Sequence, residues 1–551
     1  MRLIQLLSTV LLLTANSEAS SMDQDLLEAS IPQLQHFYAS HKYTVTQVVE
    51  WYLARIEKYN GVYQAVEHVA KQDALAVAAA EDEAAKRGGE GFERGLMWGV
   101  PIVIKANTSI KGWVTTDGWQ GFTLPGHELI APKDATVVAK LRAAGAIIIG
   151  QTNMPDFAAS DTNRSSSFGR TGNAYDVRFS PGGSSGGTVT AVTSNMALLG
   201  TGTDTSNSIR MPSSTSSVVG VLPTRGLVSI AGIAPLDWLL DNTGPIARNV
   251  TDAAIALGVM AGEDALDFRT NGSAVHAQPG PYTPYLKSDS LKGKRFGVPA
   301  FIVADAPPAA APNAPNMRRG NMRPETRLLF MRALDALRAA GATVVIDDST
   351  LPDSFPKLVR AVNTHPYRLY GTESFLKEFG PPQNRSAADY EKAVCAALPN
   401  TLTGAPASGQ ANAPAPEAQS PFIASDPQVI ANFFTPQSVA LAAYLEPFDR
   451  LHLDGMVYPA ANMPPPDETM PQDGRISSGP HSNTGWVNRI GVPAISMPGG
   501  FYPNGLPFGI EFSARPWKDG DLLGWAYAFE QATKFRRPPV LVEAGLINLH
   551  K

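Results

Sequence analysis

An amphipathic helix followed by one glycine and a short apolar strand occurs more than once in this sequence, and this unit restricts the fold most strongly. Residues 134–144 have helical spacing, Gly145 ends them, and residues 146–150 form an apolar run. The same order recurs within residues 326–346, where Gly341 separates the two parts. Alternating helices and buried strands are typical of an α/β fold, in which helices cover a sheet. We therefore predict an α/β protein.

Other segments agree with this architecture. Apolar residues at helical spacing predict helix from 23 to 88, and the run at 98–105, entered by Gly-Val-Pro, predicts a buried strand. Two Pro/Ala-rich stretches, 305–316 and 403–420, can bury little apolar area and are predicted to be surface insertions. Further elements are predicted at 196–202 (a glycine-punctuated unit), 455–458 and 494–497 (strands) and 521–533 (a helix).

The composition is that of a soluble globular protein and excludes several classes. The chain has 551 residues, of which 44% are hydrophobic and 17% charged, and its formal net charge is −5. This length is sufficient to bury a large core. No Lys/Arg run resembles a phosphate-binding stripe, so we expect no nucleic-acid partner. Cys395 is the single cysteine, which rules out an intrachain disulfide and a zinc-finger site.

Residues 1–19 have the features of a secretory signal peptide. A basic start at Arg2 precedes an apolar run over 3–14, and small residues surround Ala19, after which we expect cleavage. The apolar run is too short to span a bilayer, and no other stretch predicts a transmembrane helix. We therefore expect a secreted or periplasmic protein. An uncleaved amphipathic anchor is the alternative.

Residues 180–188, with the sequence SPGGSSGGT, contain two serines flanked by four glycines. Glycine at this density lets the backbone adopt unusual dihedral angles and lets another group approach closely. A flexible linker has a similar composition. Linkers, however, do not lie between strand signals in apolar surroundings, so we interpret this segment as part of a site.

A polar turn follows at 200–212, with the sequence GTGTDTSNSIRMP, and Ser208 lies near its end. Successive backbone N–H groups in such a turn form a concavity that binds anions, as a tetrahedral oxyanion requires. The alternative is an ordinary turn rich in Ser, Thr, Asp and Asn. The spacing of Asp204 and Arg210 predicts that they pair across the turn and fix its shape.

A hydroxyl nucleophile also requires a base. None of the nine histidines lies in a recognisable catalytic context. A lysine can replace histidine when burial lowers its pKa enough to leave the amine neutral. Lys105 is the candidate, because it ends an apolar run. The alternative is a lysine at a strand end with its amine in water.

In order and spacing, these motifs resemble those of the amidase-signature enzymes. The resemblance rests on GVPIVIK at 99–105, GGSSGG at 182–187 and GTDTSNSIR at 202–210. Flanking segments that also fit lie at 141–154, 218–224 and 483–498, so the resemblance runs from about residue 30 to about residue 535.

This resemblance implies a mixed β-sheet covered by helices on both faces, in a single large catalytic domain over residues 23–540. It implies hydrolysis of the C–N bond of a linear amide through a serine acyl-enzyme, on a small-molecule amide substrate and without a cofactor or metal. Together with the leader, it indicates a secreted amidase, similar to peptide amidases or to fatty-acid amide hydrolases. The sequence does not specify the acyl group, the amine or the oligomeric state.

The resemblance also implies a role for each residue of the site. Ser208 would be the nucleophile, and Ser184, after a cis peptide bond following Gly183, would connect it to Lys105, the base. Ser185 would support the lysine through a hydrogen bond. The oxyanion would be held by the backbone N–H groups of Thr205, Ser206, Asn207 and Ser208.

Two positions depart from the usual pattern of the family. Gly-Gly usually precedes the nucleophile, whereas this chain has Ser206-Asn207. Asparagine tolerates a left-handed conformation, and serine does so less readily. An Asp-Asn pair usually follows the lysine, whereas Ala106-Asn107 follows it here. One carboxylate is therefore missing beside Lys105, which is expected to change how strongly the lysine holds its proton.

Two other functions remain open from the residues alone. The sequence GGSSG at 182–186 matches the G-x-S-x-G turn of Ser–His–Asp esterases. That turn should follow a hydrophobic strand directly, whereas Pro181 precedes it here. The second alternative is a non-catalytic or partner-dependent protein on the same fold, because a fold does not determine function.

Overall fold

The structure is a computed structural model that describes residues 22–89, 94–303, 322–404, 423–468 and 482–539. The segment interpreted as a signal peptide lies outside the described residues. So do the predicted insertion at 305–316 and all of the second insertion beyond residue 404.

The strands run in chain order as follows: β1 (Val66–Val69), β2 (Val100–Lys105), β3 (Ala146–Thr152), β4 (Arg164–Ser165), β5 (Gly169–Arg170), β6 (Leu199–Asp204), β7 (Val219–Leu222), β8 (Asn242–Ala247), β9 (Arg295–Val298), β10 (Thr343–Ile346), β11 (Gly455–Pro459), β12 (Ala494–Phe501) and β13 (Pro507–Ser513).

The helices are α1 (Ile31–Ala39), α2 (Val45–Tyr63), α3 (Lys71–Gly88), α4 (Thr136–Ala143), α5 (Gly186–Thr193), α6 (Arg210–Ser214), α7 (Val250–Met260), α8 (Ser273–His276), α9 (Ala300–Val303), α10 (Pro324–Ala339), α11 (Phe355–Arg360), α12 (Arg368–Phe379), α13 (Ala387–Val394), α14 (Asn400–Thr403), α15 (Pro427–Val429), α16 (Thr435–Arg450), α17 (Gly485–Ile490) and α18 (Asp519–Thr533).

In the described part of the chain, eleven strands form one mixed sheet. Their order is β1-β3-β2-β6-β8-β7-β12-β13-β11-β9-β10, while β4 and β5 form a separate ribbon. The strand β2 is parallel to β3 and to β6, and the pairs β6–β8, β8–β7 and β7–β12 are antiparallel. Because this one sheet takes strands from both halves of the chain and is flanked by helices, the predicted single large α/β domain is confirmed.

Hydrophobic patterning explains most of these elements. Every residue of β2 and β3 is buried, as near-continuous Val/Ile runs predict for parallel strands covered on both faces. The predicted helices at 134–144, 326–340 and 521–533 are confirmed as α4, α10 and α18, with ends that differ by one or two residues. Within the described residues, no helix has both the length and the apolar character needed to cross a bilayer.

The prediction of helix throughout 23–88 is wrong at residues 66–69, which form β1 at the edge of the sheet. The helix α2 ends at Gln64, which has a left-handed φ of 50°. The Asn60 side chain then accepts hydrogen bonds from the backbone of Ala65 and Val66, both at 2.9 Å. Strand β1 is completed by antiparallel pairing with β3, a long-range partner that helical periodicity does not reveal.

The parallel pairing of β2 with β6 determines where a site can form. In this register Val103 lies opposite Gly200, so Lys105 and Asp204, the last residues of the two strands, lie at the same edge of the sheet. In α/β sheets, ligands bind outside the carboxyl ends of the strands. The Gly/Ser segment at 182–185 leads into α5, which precedes β6.

Candidate active site

Lys105 is fully buried at the end of β2, and its amine lies among three hydroxyl groups. Its Nζ atom is 2.7 Å from Ser184 Oγ, 2.8 Å from Thr203 Oγ1 and 3.2 Å from Ser185 Oγ. The structure therefore brings together three of the residues that the sequence selected: Lys105, Ser184 and Ser185.

The Gly/Ser segment is packed against backbone on several sides. The peptide bond between Gly183 and Ser184 is cis, and Gly182 has a φ of +78°. A Cβ atom at Gly187 would lie 2.3 Å from the carbonyl oxygen of Asn153, so only glycine allows this contact. The glycines thus place Ser184 and the first turn of α5 tightly against the neighbouring chain.

Ser208 lies in the turn between β6 and α6 and is 7% exposed. Its carbonyl oxygen accepts a hydrogen bond from the N–H of Ser185 at 3.2 Å, which joins this turn to the Gly/Ser segment. Among the described residues, the Ser208 hydroxyl has no hydrogen-bond partner. The described residues therefore show no hydrogen bond between the Ser208 and Ser184 hydroxyl groups.

The turn also carries unused backbone donors. Within the described ranges, the predicted oxyanion donors make no hydrogen bond to a protein acceptor, and these are the N–H groups of Thr205, Ser206, Asn207 and Ser208. Backbone N–H groups left free in a largely buried turn are suited to bind an anion.

The Ser206-Asn207 pair fits this turn without left-handed backbone, because neither residue has a positive φ. The lower tolerance of serine for left-handed backbone therefore does not affect this turn. Room for the Ser206 side chain comes from Gly485, where an added Cβ atom would lie 2.4 Å from Ser206 Oγ. Ser206 is exposed and Asn207 is buried, so the two extra side chains lie in different surroundings.

A buried network of ion pairs stabilises the turn between β6 and α6. The predicted pair is confirmed, with Arg210 Nε 3.2 Å from Asp204 Oδ2. Arg210 Nη1 lies 2.7 Å from Glu511 Oε2 on β13, and the guanidinium also donates to the carbonyl oxygen of Ser206. All three charged side chains have no exposed surface. Arg210 therefore holds the turn at two points: the Asp204 side chain, where the turn begins, and the backbone carbonyl of Ser206.

The surroundings of Lys105 change its protonation. Burial lowers the pKa of its amine to about 7, while the charges of Asp117, Asp204 and Asp241 oppose this shift. Burial dominates because the charged ammonium form loses its hydration. The lysine is therefore substantially neutral at neutral pH, as a general base must be.

Sequence reasoning missed Thr203 as the third hydroxyl beside Lys105. Thr203 also accepts a hydrogen bond from Asn107 Nδ2 at 3.1 Å, which connects it to the segment after β2. The signal was present, because Thr203 lies within the motif at 202–210 and one residue before the end of β6. Only the pairing of β6 with β2 shows that it faces the lysine.

Neither a histidine nor a cluster of possible metal ligands lies at the serines of this site in the described residues. No histidine in this part of the chain hydrogen-bonds to Ser184, Ser185 or Ser208, as a Ser–His–Asp site requires. His481 lies outside the described residues. The same ranges contain no group of three His, Cys, Asp or Glu side chains placed to hold a metal ion.

The fold and this cluster define an α/β protein with a buried lysine in contact with two serines at the carboxyl edge of its sheet. The profile of the amidase family matches residues 47–523 of the chain. The chain therefore belongs to the amidase family and is an amide-hydrolysing enzyme.

Similar proteins agree with this assignment. The chain is 30% identical over 536 residues to a glutamyl-tRNA(Gln) amidotransferase subunit of Thermosynechococcus vestitus, an alignment that covers 92% of this chain and 98% of the relative. The corresponding protein of Alkaliphilus metalliredigens is 38% identical over 274 residues. This alignment covers 49% of this chain and 53% of the relative, so the chain spans about half the length of that relative. The solved structure of native peptide amidase from Stenotrophomonas maltophilia has a TM-score of 0.72 and 28% identity, covering 93% of this chain and 98% of that chain.

We predict that Arg210→Met destabilises the protein by about 3–5 kcal/mol, because it leaves two buried carboxylates without their cation. The free energy of unfolding from denaturant titration measures this effect. Arg178→Met is the matched control, since Arg178 pairs with Asp176 at the surface and its loss should not be measurable. Equal stability of the two variants would show that the network does not support the turn.

Proposed function

We propose that this enzyme hydrolyses the C–N bond of a carboxylic amide through an acyl-enzyme on Ser208. In this proposal Ser184 carries the proton between Ser208 and Lys105, and Ser185 and Thr203 hold the lysine in place. The observation that supports it most strongly is the 2.7 Å contact between Lys105 Nζ and Ser184 Oγ in a fully buried cluster. A neutral amine at this distance can accept the hydroxyl proton.

The proposed reaction has two halves. Neutral Lys105 accepts the Ser184 proton while Ser184 accepts the Ser208 proton, and Ser208 Oγ attacks the amide carbonyl carbon. The backbone N–H groups at 205–208 stabilise the oxyanion. The C–N bond then breaks, the proton returns through Ser184 to the leaving nitrogen, and the amine or ammonia departs. Water follows the same route to release the carboxylic acid and free Ser208.

We predict that Lys105→Ala, Ser184→Ala and Ser208→Ala each reduce amide hydrolysis by about 10³-fold or more in a folded protein, because groups that act as one unit fail together. Initial rates on an activated anilide measure this loss. A fluorophosphonate probe should label the wild type and not Ser208→Ala. Ser194→Ala is the matched control, since Ser194 is a buried serine at the far end of α5 and should retain activity.

Two results would contradict this assignment. Full activity in Ser208→Ala would exclude it as the nucleophile, and complete loss on replacing any single histidine by alanine would favour the Ser–His–Asp alternative. Circular dichroism and the denaturation midpoint of each variant separate a lost site from a lost fold.

We predict that kcat/KM rises with pH through a midpoint near 7. The pKa of Lys105 is lowered to about 7, so the ammonium form predominates below this pH and the neutral base above it. The direction follows because only the neutral amine accepts a proton. Rates from pH 5 to 9 on a neutral amide, whose own charge does not change, measure the profile. A profile that falls with increasing pH through 7 would exclude a lysine base.

The substrate class is proposed from similarity and tested by a panel. Likeness to a peptide amidase at 28% identity supports a peptide C-terminal amide as the first substrate to test. Anilides, simple primary amides and aryl esters complete the panel.

A second candidate is a subunit that needs a partner, because relatives at 30% identity or more are named as amidotransferase subunits. Hydrolysis of glutamine together with inactivity on all other amides would favour it. Turnover of peptide amides by the isolated chain would exclude it.

We also propose that the enzyme is exported, on the basis of the leader at residues 1–19. We predict that the mature protein expressed with this leader begins at Ser20, because small residues precede the expected cleavage point after Ala19. N-terminal sequencing of the protein from the periplasm or medium measures this. Recovery only with the leader intact and attached to membranes would favour the anchor alternative.

A further inference from the structure

Asp117 has a buried carboxylate that belongs to none of the sequence motifs and takes no part in the proposed reaction. Its side chain is 1% exposed, and within the described residues neither carboxylate oxygen has a hydrogen-bond donor. Carboxylates in protein interiors are normally hydrogen-bonded or paired. An exception therefore needs a physical explanation.

The position of Asp117 beside the end of β2 provides a physical explanation for its buried carboxylate. Its backbone N–H donates to the carbonyl oxygen of Ala106 at 3.2 Å, so residue 117 lies directly beside the residue that follows Lys105. Position 106 is where the family usually has aspartate and this chain has alanine. The carboxylate missing from one strand end is thus present on the adjacent turn.

The turn that carries Asp117 is held in place on both sides. Asp117 has a left-handed φ of 47° and Gly118 one of 74°, conformations that aspartate and glycine tolerate. The carbonyl of Asp117 accepts a hydrogen bond from Phe157 at 2.8 Å, and that of Gly118 accepts one from Ser167 at 3.0 Å. The preceding Thr116 donates to Glu67 at 2.6 Å. The carboxyl group is therefore fixed in its buried position.

The charges that act on Asp117 come from several elements. Burial raises the pKa of its carboxyl group well above the usual range, and the strongest opposing charge is that of Lys105 on β2. The other groups that face it are acidic: Asp241 before β8, Asp156 in the turn after β3, and Glu67 on β1. Lys105 in turn is faced by Asp117 first, and then by Asp204 and Asp241.

These observations lead to one assignment. We propose that Asp117 supplies the carboxylate absent from position 106 and acts as a positioning residue that sets how strongly Lys105 holds its proton. This inference rests on the proposed role of Lys105 as the base. Because the two groups interact and are both buried, they titrate as a pair.

The consequence for the reaction concerns the ammonium form of Lys105. This form appears each time the lysine accepts the Ser184 proton. The Lys105 ammonium and the Asp117 carboxylate stabilise each other, so protonation of the lysine favours the ionised form of Asp117. Asp204 acts on Lys105 in the same direction but less strongly than Asp117, and its charge is also paired with Arg210. Without the Asp117 charge, the lysine loses its proton at lower pH and is a weaker base.

The test is the pH dependence of Asp117→Asn, which keeps the shape of the side chain and removes its charge. We expect the midpoint of the acid limb of kcat/KM to move to lower pH by roughly one unit, the size of effect that a nearby opposite charge produces. We expect kcat to fall about tenfold with KM unchanged, because a weaker base transfers the proton less efficiently. Asp176→Asn is the control, since Asp176 pairs with Arg178 at the surface and is not among the charges that act on Asp117 or Lys105, and its midpoint should stay in place.

A second variant moves the charge back to the strand. Asp117→Ala should show the shifted profile, and Ala106→Asp/Asp117→Ala should return the midpoint towards that of the wild type. A merely structural role for Asp117 predicts no such rescue. The denaturation midpoint of each variant identifies those that are folded at the assay temperature.

The outcomes separate this inference from the proposed function. A wild-type profile in folded Asp117→Asn would overturn it, and so would a relocation variant that keeps the Asp117→Ala profile. If Lys105→Ala retains full activity, the proposed function itself fails. Loss of activity in Lys105→Ala together with a shifted and rescued profile supports both.

Discussion

The burial of the Lys105 amine is the constraint on which the rest of this site depends. A buried ammonium group loses its hydration, and this loss brings the pKa of the lysine to about 7. The hydrogen-bond partners of the amine are neutral groups, the hydroxyls of Ser184, Ser185 and Thr203. The hydroxyl groups that satisfy the buried amine are thus also groups through which a proton can move.

The turn that carries Ser208 depends on distant residues in a similar way. Arg210 binds Asp204 at the end of β6 and Glu511 on β13, about 300 residues further along the chain. Departures from the usual family pattern are also accommodated by residues from other segments. Gly485 leaves space for Ser206, and the carboxylate absent at position 106 has a counterpart on an adjacent turn.

Much of this protein could be predicted from its sequence. The α/β architecture was predicted because apolar periodicity and glycine punctuation are local signals. The contact of Lys105 with Ser184 and Ser185 was predicted from the resemblance of their motifs to those of the amidase-signature enzymes. Strand β1 was missed because its only support is pairing with β3. Thr203 was missed for a related reason, since only the parallel pairing of β2 with β6 brings it to the lysine.

The sequence by itself determined the kinds of residue that meet at the site and the class of reaction they suit, because three short motifs carry them in a specific order. The tertiary structure decided their electrostatics. The contact of Thr203 with Lys105, and the placement of Asp117 beside Ala106, arise from contacts that no local sequence pattern reveals. The proton affinity of a group depends on its distance from other charges and on its hydration. A short sequence motif specifies neither quantity.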